Sequence, residues 1–108
     1  MRYHSKYHAV RTTIDGITFA SKKEAQRYRE LKLLERAGEI SNLQLQVPYI
    51  IIEKSKYGRA IKYVADFVYQ ESGKNGPTVE DTKGYRTDVY KLKKRLLAEK
   101  YSIEIKET

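Results

Sequence analysis

The chain contains no cysteine and no tryptophan, and only two of its 108 residues are histidine. Without cysteine a protein has no disulfide framework, no thiolate-ligated zinc and no thiol nucleophile. Two histidines are also too few for a histidine-rich metal centre. No apolar run approaches the roughly 18 residues that a membrane-spanning helix needs, and no apolar signal-peptide core follows the basic N-terminal segment. We therefore expect a soluble, intracellular protein.

Acidic residues are scarce relative to basic ones. Lys and Arg number 22 against 14 Asp and Glu, which gives a formal net charge of +8. Because such an excess opposes a compact fold by self-repulsion, it indicates an anionic partner, with nucleic acid as the first candidate and a membrane surface as the second. The membrane alternative is weaker, because the basic C-terminal helix lacks the Trp and Phe anchors of interfacial helices.

The sequence has no internal repeat, and we expect a single domain over residues 1–108. Residues 1–20 are predicted to form a basic arm and a β-hairpin, because β-branched residues stand on both sides of Asp15 and Gly16. Residues 21–108 form the predicted core. Its first helix begins at Ser21, which has the capping-box spacing to Glu24, and ends before Gly38.

Three strands, a second helix and a last strand are predicted to follow. The strands cover residues 43–53, 60–69, 78–83 and 102–106, and the helix runs from Thr87 or Asp88 to about Lys100. Pro48 favours an edge position for the first of these strands, and apolar residues at both parities favour a central position for the second. The buried side of the second helix is predicted to comprise Val89, Leu92, Leu96 and Leu97. This order indicates an α/β domain with a mixed central sheet flanked by helices.

Carboxylates occur at two unexpected places in these strands. Asp66 lies in the middle of an apolar strand, where an unpaired charge is costly. In the next strand, alternation puts Asp81 and Lys83 on one face and Glu80 on the other. If the two strands pair, Asp66 and Asp81 can converge on one divalent cation, which prefers oxygen ligands. Lys83 would then orient a water molecule or stabilise the charge on a phosphate.

Three short segments and the order of elements resemble the PD-(D/E)XK nuclease superfamily, and within it a family of small phage and prophage proteins. The segments are residues 21–25, 65–67 and 80–84, and the resemblance covers the chain from about Lys6 onwards. It implies a restriction-endonuclease-like αβββαβ core, preceded by the hairpin. Ala65 stands where the name of the superfamily has Pro, and Asp81 stands where Glu is more common.

The resemblance implies a Mg²⁺-dependent (or Mn²⁺-dependent) endonuclease that hydrolyses DNA phosphodiester bonds. Asp66, Asp81 and Glu24 would be the metal ligands, and Lys83 the catalytic lysine. The implied substrate is branched or recombining phage DNA, as for the junction resolvases of the superfamily, in the cytoplasm of a bacterial host cell. Such cutting needs two active sites, so a homodimer is expected, with no membrane association and no small-molecule cofactor. A β-bulge would exchange the roles of Asp81 and the adjacent Glu80.

Basic residues in the arm and around the second helix are the candidates for contact with DNA phosphates. They are Lys6, His8, Arg11, Arg86, Lys91, Lys94 and Arg95. Tyr85 and Tyr90 are further candidates for contact with the nucleic acid.

Each of these assignments has a purely structural alternative. Glu24 is the acid of a capping box and needs no further role. Asp66 and Lys83 could form a cross-strand ion pair that neutralises both. If these residues have only structural roles, the chain would have the same fold but would be a non-catalytic basic module that binds nucleic acid.

Overall fold

The computed structural model describes residues 10–82 and 86–108. Within these ranges the chain forms six strands and two helices. The elements are β1 (Thr12–Ile14), β2 (Ile17–Phe19), α1 (Lys22–Arg36), β3 (Ile40–Ile52), β4 (Ile61–Glu71), β5 (Thr78–Asp81), α2 (Asp88–Tyr101) and β6 (Ile105–Glu107). From α1 onwards this is the predicted αβββαβ order.

The hairpin and the first helix form where the sequence predicts them. β1 and β2 pair through a two-residue loop, in which Asp15 and Gly16 both have positive φ values of 53° and 75°. This combination is typical of a type I′ turn. The Ser21 side chain caps α1 by accepting the Glu24 amide at 3.1 Å, and Gly38 follows the helix with φ 80°. The capping residue and the glycine therefore fix both ends of α1.

Four strands form one mixed sheet in the order β3-β4-β5-β6. β3 pairs antiparallel with β4, and β4 with β5, whereas β5 and β6 are parallel because α2 connects them. β3 is an edge strand, which tolerates Pro48, and β4 is central, as predicted. The molecule therefore has the α/β class and the mixed central sheet that the sequence predicts, with the two-stranded hairpin as a separate sheet.

The two helices pack on opposite faces of the sheet. Residues of α1 share one apolar cluster with Phe67 and Tyr69 of β4. Residues of α2 share the other cluster with Tyr63 and Ala65 of the same strand. In the described part of the chain, neither helix has the length and apolar composition needed to cross a membrane.

The predicted buried side of α2 is partly wrong. Val89 and Leu92 are 61% and 59% exposed, whereas Tyr90 and Leu97 are buried. Tyr90 and Leu97 are seven residues apart and so lie on one helical stripe, which is rotated by about one position from the predicted one. The rotation arises because the large Tyr90 ring fills the core position that the sequence analysis gave to its aliphatic neighbour. Leu96 packs at the margin of the same cluster.

The regular alternation of sides is broken in the middle of β3 and β4. In β4, Tyr63 and Ala65 face α2 but Phe67 faces α1, so the side changes at Asp66. In β3, Leu45 packs with the α1 cluster and Val47 with the α2 cluster, so the side changes at Gln46. Gln46 has φ 53°, a left-handed conformation that L-residues with long side chains rarely adopt.

Candidate functional site

Asp66 is held at the point where the side changes in β4. One oxygen, Oδ2, accepts the Thr82 amide at 2.9 Å and the Thr82 hydroxyl at 3.2 Å. Within residues 10–82 and 86–108, no group donates to the other oxygen, Oδ1. The residue is only 8% exposed. The side chain of Asp66 thus keeps one oxygen that can accept from water or bind a cation.

Asp66 opens into a small cavity beneath the hairpin. Glu24 at the start of α1 and Gln46 line the same cavity, whose volume is about 350 Å³. The Gln46 amide lies 3.4 Å from Oε1 of Glu24. Register places Gln46 opposite Asp66, because Leu45 pairs with Phe67 and Val47 with Ala65. The cavity is therefore lined by three polar side chains from three elements, two carboxylates and one amide, and is large enough for water molecules.

Glu80 lies on the α1 face and is fully buried, with 0% exposure. Arg27 of α1 binds both of its oxygens, through Nε at 2.6 Å and Nη2 at 2.9 Å. The hydroxyl groups of Tyr69 and Thr108 donate to the same carboxylate, at 2.6 and 3.1 Å. The bond to Glu80 is the main reason that the pKa of Arg27 is raised. Glu80 is thus compensated within the fold.

Asp81 lies on the opposite face, as alternation predicts, and is also fully buried. The Tyr63 hydroxyl donates to its Oδ2 at 2.6 Å. Burial, followed by this hydrogen bond, raises the pKa of Tyr63. Asp81 directly precedes Thr82, so it is adjacent in the chain to the residue that anchors Asp66.

The predicted ligand set is only partly assembled. Among the described residues, no three His, Cys, Asp or Glu side chains are grouped closely enough to hold a metal ion. Glu24 and Asp66 do share the cavity with Gln46. A hard divalent cation such as Mg²⁺ accepts one or two carboxylates and fills its remaining positions with water. The donor set of the cavity fits such an ion, whereas the complete predicted trio is not brought together. Lys83 lies outside the described residues.

Most of the predicted DNA-contacting residues near α2 come together. Arg86, Lys91, Lys94 and Arg95 line one groove of about 580 Å³ between α2 and β6. Arg11 is exposed at the base of the hairpin. The remaining members, Lys6 and His8, and the candidate Tyr85 lie outside the described residues. Tyr90 is only 4% exposed, and its hydroxyl donates to Glu107 at 2.7 Å, so its proposed contact with nucleic acid is wrong.

Sequence reasoning missed two residues that shape the site, Gln46 and Arg27. Gln46 alternates regularly with Leu45 and Val47, and this pattern gives no sign of a left-handed backbone. Arg27 could have been found. It lies three residues after Glu24, one before Tyr28 and four before Leu31, which places it on the inward stripe of α1. An arginine on such a stripe needs a buried acid as a partner.

Comparison with known proteins gives one result. No curated protein and no solved structure matches the chain. The model of one family, described as "Protein of unknown function (DUF1064)", matches residues 4–108. The match spans nearly all of the chain, which therefore belongs to the DUF1064 family.

Proposed function

We propose that this protein is a metal-dependent endonuclease that hydrolyses phosphodiester bonds in DNA. The observation that carries the proposal is Asp66, a carboxylate that lines the cavity beside Glu24 and has one oxygen to which no described residue donates. The αβββαβ order and the Asp81-Thr82-Lys83 sequence support it, since carboxylates and a lysine are what metal-assisted phosphodiester hydrolysis uses.

The residues of the chain have separate roles in this proposal. Asp66 and Glu24 would hold the cation through carboxylate oxygens, and Thr82 fixes the orientation of Asp66 through its two hydrogen bonds. When bound, Mg²⁺ or Mn²⁺ would acidify a water molecule and offset negative charge on the phosphate. Asp81 is proposed as the third acid and Lys83 as the group that stabilises charge on the phosphate. Gln46, bonded to Glu24, limits the rotation of that carboxylate.

The substrate and assembly extend the same proposal. Branched or recombining DNA is the proposed substrate, and a homodimer would supply one active site for each of two strands. The net charge of +8 supports a polyanionic substrate.

The direct test is cleavage of supercoiled plasmid and of a four-way DNA junction with Mg²⁺ or Mn²⁺. The wild type should nick at least one substrate only when the metal is present. Asp66→Asn and Lys83→Ala should each lose more than about a hundredfold in rate, beyond the usual cost of losing an outer-sphere partner of a metal, and should still bind DNA.

Glu30→Gln is the matched control, because Glu30 is an exposed acid on α1 outside the cavity. It should cut at the wild-type rate. A wild type that cuts neither substrate with either metal, or an Asp66→Asn variant that cuts normally, would contradict the proposal.

A non-catalytic module that binds nucleic acid is the second candidate. The observation that favours it is the absence, among the described residues, of a three-acid metal group. The two candidates differ in their response to metal, because an ion that binds only the folded state raises the melting temperature. A melting temperature that does not change with Mn²⁺ would favour the binding module.

A further inference from the structure

The groove between α2 and β6 concentrates positive charge on the face of the sheet opposite α1. It has a volume of about 580 Å³. Four cationic side chains line it, and they are Arg86, Lys91, Lys94 and Arg95. Two acids, Glu104 and Glu107, line it as well. The groove is thus cationic overall but carries acidic groups of its own.

Glu107 forms ion pairs with two of the four cationic side chains. Its Oε1 is 3.2 Å from Lys94 Nζ, and its Oε2 is 3.0 Å from Arg86 Nε. The Tyr90 hydroxyl donates to Oε2 at 2.7 Å. This hydrogen bond, together with the two ion pairs with Lys94 and Arg86, lowers the pKa of Glu107. The carboxylate is therefore ionised at neutral pH and is held in place from three sides.

The other two cations are not engaged in this way. Within the described ranges, Lys91 and Arg95 form no ion pair, and both are exposed. The Arg86 Nε is buried, and although it lies beside Glu107 it is not aligned for a hydrogen bond. The groove therefore offers two free cations and two whose acidic partner can be exchanged for another anion.

We propose that this groove binds the phosphate backbone of DNA and that Glu107 is a built-in competitor, which the phosphates displace from Lys94 and Arg86. This inference rests on the proposed function, since it assigns the surface that holds the substrate. Because Glu107 already neutralises Lys94 and Arg86, a single small anion meets little free charge beside it. A polyanion can contact Lys91 and Arg95 at the same time and so bind more tightly.

The spacing of the cations fits a nucleic-acid strand. From Lys91 to Arg95 the helix rises about 6 Å at about 1.5 Å per residue, which spans roughly two phosphates at about 3.4 Å of axial rise per strand. Arg86 and Arg95 present planar guanidinium groups, which bind phosphate through two parallel hydrogen bonds. An acidic peptide carries carboxylates without the regular, closely repeated charge of a nucleic-acid backbone, so DNA is the favoured occupant.

The groove is also close in the chain to the proposed site of cleavage. Thr82, which binds Asp66, precedes Arg86 by four residues. Four residues span at most about 14 Å even when fully extended. A backbone bound at Arg86 can therefore continue towards the end of β5.

The test is the affinity for a labelled DNA duplex of about 25 base pairs, measured in EDTA over a range of salt concentrations. Lys91→Ala and Arg95→Ala should each reduce the slope of log K against log salt by about one. Glu107→Gln should raise the affinity by about threefold to tenfold at low salt, the range expected when two partly exposed ion pairs are released. The side-chain amide that this substitution introduces can still accept a hydrogen bond from the Tyr90 hydroxyl, so the fold is retained, which circular dichroism checks.

Two controls separate the groove from general charge effects. Glu104→Gln removes the same charge from the same groove without releasing an ion pair among the described residues, and should raise the affinity less than about twofold. Arg29→Ala removes an exposed cation on α1, across the sheet, and should leave the slope unchanged.

Four results would overturn the inference. They are equal effects of Glu107→Gln and Glu104→Gln, an unchanged slope in Arg95→Ala, binding of polyglutamate as tight as that of DNA, and a preference for an RNA duplex. Binding in EDTA needs no catalysis, so failure of the endonuclease proposal gives groove-dependent binding without cleavage. If DNA does not bind in the groove, the protein still cleaves DNA, and the substitutions of the groove residues leave the affinity for DNA unchanged.

Discussion

Glu80 and Asp66 are two buried acids on neighbouring strands, and they have opposite environments. Both oxygens of Glu80 are bound by Arg27, and two hydroxyl groups donate to them as well. Asp66 has one oxygen bound by Thr82, no described residue donates to the other, and the residue lines a cavity. Compensation inside the fold makes Glu80 a structural acid, whereas incomplete compensation leaves Asp66 able to take a ligand.

This difference shows why sequence position alone is a poor guide to the role of an acid. Both residues stand inside strands of the central sheet, and either could be expected to bind metal. What separates them is the partner that a distant element supplies. α1 brings Arg27 to Glu80, while β3 brings only an uncharged Gln46 towards Asp66.

Removing the cation from Glu80 should have the largest effect. Arg27→Met keeps most of the aliphatic stem but leaves a fully buried carboxylate without its counter-ion, which costs about 3–5 kcal/mol of unfolding free energy. Urea denaturation measures this loss. Arg29→Met on the exposed side of the same helix should change stability by less than about 0.5 kcal/mol. Equal losses in the two variants would remove the contrast between Glu80 and Asp66.

The hydroxyl group of Tyr69 should have the next largest effect. Tyr69→Phe removes a 2.6 Å hydrogen bond to the buried Glu80 carboxylate, and bonds to charged groups contribute about 1.5–3 kcal/mol. The variant should be less stable by that amount at neutral pH, as measured by urea denaturation.

The same substitution should also change the response to alkali. Burial, followed by the hydrogen bond to Glu80, raises the pKa of Tyr69 in the folded state. The protonated Tyr69 hydroxyl therefore contributes fully to the unfolding free energy below the unfolded pKa of about 10, and this contribution is lost as the pH rises through the folded pKa. Unfolding free energy should fall less steeply above about pH 10 in Tyr69→Phe than in the wild type. Tyr57→Phe, at a side chain that is 88% exposed, should follow the wild-type curve.

The smallest effect is expected at the anchor of Asp66. Thr82→Val keeps the shape of the side chain and the 2.9 Å amide bond, and removes only the 3.2 Å hydroxyl bond. Stability should fall by about 1 kcal/mol. A loss as large as that of Arg27→Met would mean that Asp66 is as tightly built into the fold as Glu80.

Much of the fold could be predicted because local signals specify it. The Asp15-Gly16 turn, the Ser21 cap and the glycine after α1 fix the hairpin and the first helix. Pro48 correctly indicates an edge strand. The orientation of α2 was mispredicted by one position because Tyr90 is amphipathic and can occupy either a core or a surface position.

The site was less predictable because it depends on long-range geometry. Glu24 and Asp66 were singled out from the sequence and do line one cavity. The change of side at Gln46 and Asp66 depends on a left-handed residue that no local pattern marks. The partner of Glu80 lies 53 residues away along the chain, so only the packing of α1 on the sheet identifies it.

We propose that Asp66 and its cavity form a divalent-cation site. The most direct measurement is a titration with Mn²⁺ in which the free ion is followed by electron paramagnetic resonance, for the wild type, Asp66→Asn and Glu30→Gln. We expect the wild type and Glu30→Gln to bind one ion with equal affinity, and Asp66→Asn to lose this binding while it keeps its fold. Equal Mn²⁺ binding by Asp66→Asn, or no binding by the wild type, would contradict the proposed cation site.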